Sequence, residues 1–193
     1  MIHEIDALNS KVTSCVKCSL SKSRTNAVPG KGNSKAEILF VGEAPGRIED
    51  LQGEPFVGSA GKILSEALDY AGLSRDDVFI TNVVKCRPPN NRLPLQQEKD
   101  SCHEYLAKEL EIIRPKIICI LGNTAYESLL GGDSITKNRG KIIEKNGQLY
   151  FLTVHPAAAI YNPELRSVLK NDIKLLVETV VRLKKENETK DLA

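Results

Sequence analysis

A chain of 193 residues, 41% hydrophobic and 27% charged, can bury a sizeable core without disulfide staples and has the balance of a soluble, globular protein. Its formal net charge of +2 permits a nucleic-acid partner without demanding one, because a basic face can sit on a nearly neutral protein. No apolar run approaches the roughly 20 residues of a membrane span, and Met1 to Asp6 lacks a secretory signal's basic start and apolar stretch, so a cytoplasmic protein with reduced thiols is expected.

In chain order, the first feature is Cys15-x-x-Cys18, a ligand-like pair. Four short β-branched, apolar runs then predict buried strands: Ile38 to Val41, Val78 to Thr81, Ile117 to Leu121 and Tyr150 to Val154. Helical patterns cover Lys62 to Tyr70, Leu95 to Ile113 with Pro115 as its stop, and Thr124 to Leu130 ended by Gly131-Gly132. A last helix starts at Asn162-Pro163, buries Leu165, Leu169, Ile173, Leu176, Val180 and Leu183, and is expected to fray into a charged tail from about Lys184. Asn146-Gly147 suggests a hairpin within Lys141 to Phe151. Strands alternating with helices at this spacing favour an α/β fold, a mostly parallel sheet covered on both faces, in one domain. Ligands of such sheets bind beyond the carboxyl ends of the strands.

The chemistry-bearing residues fall at those ends. Gly42-Glu43-Ala44-Pro45-Gly46 forms a tight loop after the first strand, with backbone N–H groups able to face an anion or carbonyl, or simply an ordinary strand-to-helix turn. Gly58-Ser59-Ala60-Gly61-Lys62 lacks the spacing of a phosphate loop and is rejected as one. Phe56, hemmed by Pro55 and Gly58, is either core or the flat apolar wall that a flipped base requires. Asn82, at the end of the second strand, carries an amide donor and acceptor that match the O4 and N3–H edge of uracil, and it could equally cap a turn. Lys85, Arg87 and Arg92 add positive charge to the same loop, fit for phosphates or for a solvated face. His155, fixed before Pro156 at the end of the fourth strand, is a better catalytic candidate than terminal His3 or helical His103. Cys15, Cys18, Cys86 and Cys102 could hold zinc or a cubane cluster, and Cys119 within an apolar strand reads as core.

Together, Gly42-Glu43-Ala44-Pro45-Gly46, Pro55-Phe56-Val57-Gly58, Thr81-Asn82-Val83-Val84-Lys85-Cys86-Arg87-Pro88-Pro89 and His155-Pro156-Ala157 resemble the motifs of the family 4 uracil-DNA glycosylases. The resemblance implies a three-layer α/β/α sandwich around a central four-stranded, mostly parallel sheet. It also implies a [4Fe–4S] cluster on Cys15, Cys18, Cys86 and Cys102. Carried over by position, Glu43 and Ala44 lie against uracil and the attacking water, and Glu49 guards C5 of the base. Phe56 stacks on uracil, Asn82 reads its edge, and His155 faces O2. Leu93 stands where relatives often place Asp before the proline, which weakens a helix cap. The basic insert of a cross-linking branch is absent between Pro89 and Pro94, so covalent capture of DNA is not expected. With no lysine at the expected position of an amine nucleophile, a monofunctional enzyme is expected, acting on uracil in double- or single-stranded DNA to leave an abasic site for base excision repair. It is expected to be a monomer, with a sliding clamp as a candidate partner. The rival reading is an inactive iron–sulfur DNA-binding or electron-transfer module, against which the presence of Glu43, Asn82 and His155 argues.

Overall fold

The computed structural model describes the backbone of residues 2–191 and the side chains of residues 3–186. Its sheet has six strands: β1 (Lys31–Gly32), β2 (Ile38–Gly42), β3 (Phe79–Asn82), β4 (Ile117–Leu121), β5 (Ile142–Lys145) and β6 (Gln148–Thr153), in spatial order β1-β3-β2-β4-β6-β5. The central four are mutually parallel, and they are the four strands expected from sequence. The expected count of four strands is corrected by two antiparallel edges, β1 on β3 and β5 on β6. Neither edge carries the apolar signal of a buried strand, since both β1 residues are exposed and β5 is exposed at three of its four positions. Asn146 (φ 53°) and Gly147 (φ 76°) form the turn between β5 and β6, both left-handed as a tight hairpin requires.

Both faces of the sheet are covered, which is why its strands read as unbroken apolar runs. Leu39 and Val41 of β2 and Ile118 and Ile120 of β4 pack on one side, with helices α1 (Ile2–Thr13), α4 (Gln96–Ile113) and α5 (Asn123–Leu130). The alternate residues Ile38, Phe40, Ile117, Cys119 and Leu121 pack on the other, with α3 (Ser59–Tyr70) and α8 (Glu164–Asp191). Three layers result, as expected. Short helices α2 (Arg47–Gln52), α6 (Ile135–Asn138) and α7 (Ala158–Tyr161) follow strands or loops near their ends.

One helix lies outside the sequence reading. Helix α1 was not anticipated, although Ile5, Leu8 and Val12 give it one buried stripe. Helix α8 spans Glu164–Asp191, and the Lys184 ammonium on it pairs with Glu37 at 2.5 Å. Among the described residues no helix is long and apolar enough to cross a membrane.

Candidate active site

The carboxyl ends of β2, β3 and β6 open into one cleft of about 520 Å³. Glu43, Ala44, Glu49, Phe56, Asn82 and His155 all line it, so the structure brings together every residue proposed from sequence for the base. They converge because parallel pairing sets Gly42 beside Asn82 at the ends of β2 and β3, and β6 ends two residues before His155.

Asn82 is buried, and its Oδ1 has no hydrogen-bond partner among the described residues. A buried acceptor left unpaired costs about 1–3 kcal/mol, so an orphan aimed into a cleft marks a place where a ligand donor belongs. A β-carbon on Gly42 would lie 2.6 Å from this oxygen and 2.5 Å from Cζ of Phe56, so the loop must carry glycine there.

Phe56 is buried, with its ring centroid 5.7 Å from that of His155 and tilted by 33°. Its backbone has φ 54°, in the left-handed region that a residue with a β-carbon avoids. His155 Nδ1 accepts the Ala157 N–H at 3.1 Å. Burial pushes the imidazole pKa down to about 4, so the ring is neutral at pH 7 and carries its proton on Nε2. Gly122, just past β4, has φ 87° and would crowd His155 with any β-carbon, 2.8 Å from its Cβ. Beneath, Thr153 donates to Asp172 of α8 at 2.7 Å, and Arg139 forks the same carboxylate, anchoring the strand that delivers His155.

Glu43 is half-buried, and the Thr124 hydroxyl donates to its Oε2. Thr124 is a site residue that sequence reasoning missed. Glu49 is buried, and its Oε1 accepts the N–H groups of Val57 (3.0 Å) and Gly58 (2.7 Å). It therefore braces the Phe56 loop as well as lining the cleft.

The cationic loop is corrected in part. Lys85 is 1% exposed and unavailable to phosphate. Its ammonium donates to Glu109 at 2.6 Å, to Thr81 Oγ1 at 2.5 Å and to the Asn82 carbonyl at 2.8 Å. Glu109 also accepts from the Gly30 N–H and the Thr81 hydroxyl, which leaves the buried charge fully bonded. Arg92 forks Glu98 at 2.7 and 2.9 Å, and Arg87 is tied to Asn91.

Cys15, Cys18, Cys86 and Cys102 line a second, separate cavity with Arg24 and Tyr105. Two sulfurs accept hydrogen bonds: Cys86 from Arg24 Nη1 at 2.9 Å, and Cys102 from the Lys85 N–H at 3.2 Å. Arg24 also donates to the carbonyls of Thr13 and Cys15, closing the N-terminal segment over the cavity. Burial pushes the Cys102 thiol up to about 11 and raises Cys86. Among the described residues no three His, Cys, Asp or Glu side chains converge as one metal ion would need. Cys119 is fully buried in β4, with its thiol raised by burial, and belongs to the core as expected.

Residues 29–178 match the family model described as the uracil DNA glycosylase superfamily. A type-4 uracil-DNA glycosylase of Archaeoglobus fulgidus is 48% identical over 186 residues, covering 92% of this chain and 94% of its own. Those of Sulfurisphaera tokodaii and Thermotoga maritima are 50% and 44% identical, covering 94% and 88% of this chain and 87% and 91% of their own.

Proposed function

Since the chain belongs to the uracil-DNA glycosylase superfamily and is a type-4 enzyme of it, hydrolysing the N-glycosyl bond of uracil in DNA, we propose the following residue roles for the excision. A duplex hides the C1′–N1 bond, so the deoxyuridine must swing out of the stack into the cleft. Ile160 and Tyr161, the latter 89% exposed, stand at its mouth and suit apolar contact with the neighbouring bases.

The orphaned Oδ1 of Asn82 carries the reading. It accepts uracil N3–H, while the amide nitrogen donates to O4. Cytosine has an unprotonated N3 and an amino group at C4, so it leaves both halves of the amide facing like partners. Sites built on such pairing reject the wrong analogue by roughly 10⁴–10⁵. Phe56 supplies the stacking face. Glu49, at the same wall, crowds C5 and disfavours the methyl of thymine.

As the bond breaks, negative charge grows on uracil and positive charge on the sugar. Neutral His155 donates from Nε2 to O2, where the anionic charge gathers, in a site that needs no rearrangement to do so. Glu43, with Oε2 held by Thr124, presents Oε1 to orient water and offset the sugar's charge. Ala44 lies beside the same water.

The second cavity suits an iron–sulfur cluster, because four cysteines from separate segments of the chain line one space and four thiolates are the ligand set of a cubane. N–H groups directed at Cys86 and Cys102 fit thiolates that ligate, and a bound metal offsets the burial that otherwise keeps these thiols protonated. Cys15, Cys18, Cys86 and Cys102 would hold a [4Fe–4S] cluster, which when bound cross-links the N-terminal segment, the loop after β3 and α4. Uracil is handled elsewhere, by the strand-end residues.

The test is a uracil-containing oligonucleotide incubated with the protein, treated with alkali and run on a gel. Scission at uracil in wild type and its loss in an Asn82→Ala variant are expected. A folded wild-type protein that leaves the strand intact would turn the reading to a DNA-binding or electron-transfer module.

A further inference from the structure

Phe56 holds a conformation that its own chemistry disfavours, and a residue outside the cleft accounts for it. At φ 54° the β-carbon crowds the backbone, and rotation of an adjacent peptide would relieve the strain. Such a rotation would swing the ring away from Gly42 and His155.

Arg75 blocks it. This arginine opens the short 3₁₀ turn Arg75–Asp77 ahead of β3, and it is absent from the cleft's lining. Its Nη2 donates to the Pro55 carbonyl at 2.8 Å and its Nη1 to the Phe56 carbonyl at 3.0 Å. From the other side, Glu49 accepts the next two N–H groups, Val57 and Gly58. Four consecutive residues are thus gripped, the first two through oxygen by a cation and the last two through nitrogen by an anion. Behind them, the first turn of α3 presses so close that a β-carbon on Gly61 would fall 1.8 Å from the Phe56 oxygen. The Arg75 guanidinium is itself half-buried, and desolvation lowers its pKa, a cost that a merely solvated surface arginine does not bear.

We propose that Arg75 is a positioning residue for excision: its two-pronged grip on the Pro55 and Phe56 carbonyls keeps the Phe56 ring in its strained, uracil-stacking place. The inference rests on the reading of Phe56 as the stacking face. A guanidinium suits the task because its planar fork holds two oxygens at once, where an ammonium is a point charge.

The test compares Arg75→Met, Arg75→Lys, Phe56→Ala and the double variant Phe56→Ala/Arg75→Met as full-length proteins. Free uracil is the probe, with its inhibition constant, the single-turnover rate at saturating enzyme and the melting temperature measured for each. Arg75→Met should weaken uracil binding roughly tenfold, within the range that a lost base–aromatic stack gives, while the saturated rate falls by less than about threefold. Arg75→Lys should recover part of the affinity. On the Phe56→Ala background, Arg75→Met should add less than about twofold, because the ring it positions is gone. An Arg75→Met protein that binds uracil as wild type does, or whose loss multiplies fully with that of Phe56→Ala, overturns the proposal. If Arg75→Met does not fold, Arg75→Lys decides alone: weakened uracil binding at a near wild-type melting temperature supports the grip, and unchanged binding overturns it. Phe56→Ala with wild-type uracil affinity would instead remove the stacking role, and with it the function assigned to the grip.

Discussion

Replacing Asn82 by leucine separates what this residue does for the fold from what it does for the base. The two side chains have nearly the same shape, but leucine removes a buried oxygen that no group among the described residues satisfies. An unpaired buried acceptor costs about 1–3 kcal/mol, so Asn82→Leu should be more stable by up to that amount. For a chain of this size each kcal/mol moves the melting temperature by about 2–4 °C, which predicts a rise of a few degrees. Activity should move the other way. In the variant, uracil N3–H and O4 enter the cleft with no partner, at about 1–3 kcal/mol each. Their sum, about 2–6 kcal/mol, corresponds to a loss of roughly 30-fold to 10⁴-fold in kcat/KM at 1.4 kcal/mol per decade. Thermal melting followed by circular dichroism and single-turnover excision on a uracil oligonucleotide give the two numbers. A variant that melts several degrees lower and still excises uracil at the wild-type rate would refute the reasoning, because Oδ1 would then be satisfied within the fold and uracil read elsewhere.

Asn82→Asp should lose most uracil excision and gain a trace of cytosine excision, since the protonated acid offers cytosine N3 a donor; a gel with both substrates reads it. His155→Ala should slow excision by about 10²–10³ with binding to uracil-containing DNA largely kept, as measured by single-turnover rates beside a binding titration. Because burial holds His155 near pKa 4, below its unfolded value near 6.5, wild-type rates should show no protonation step of this residue from pH 8 to 5. In that window the unfolded chain takes up the proton that the folded one refuses, so His155's contribution to stability is complete above about pH 6.5 and is lost as pH falls toward 4. Purified protein should be brown and contain about four iron and four sulfide per chain, and a folded, colourless protein with one zinc by metal analysis would exclude the cluster. Lys85→Met should destabilise the fold by about 3–5 kcal/mol in denaturant titrations, because it strands the fully buried Glu109 carboxylate.

Local pattern made much of this molecule legible. Four apolar runs announced the parallel strands, since strands covered on both faces need no alternation, and helices α3, α4, α5 and α8 followed from spacing and punctuation. The strands covered on one side by solvent, β1 and β5, were weaker in sequence because their place is set by backbone pairing with β3 and β6. Likewise Asn82, His155 and Glu43 stood out because each lies at or just past a strand's carboxyl end, where a parallel sheet gathers ligands. What tertiary structure alone decided was partnership. Lys85 looked like a phosphate contact until Glu109, 24 residues on, proved to meet it in the core. Arg75 and Thr124 carried no signal of their own, since a fork on two carbonyls or a hydroxyl on a carboxylate leaves no trace in the spacing of one segment. Periodicity records which face of an element is dry, but a charge or hydrogen bond is assigned by distance in space, and segments far apart in the chain become neighbours only when the sheet closes them together.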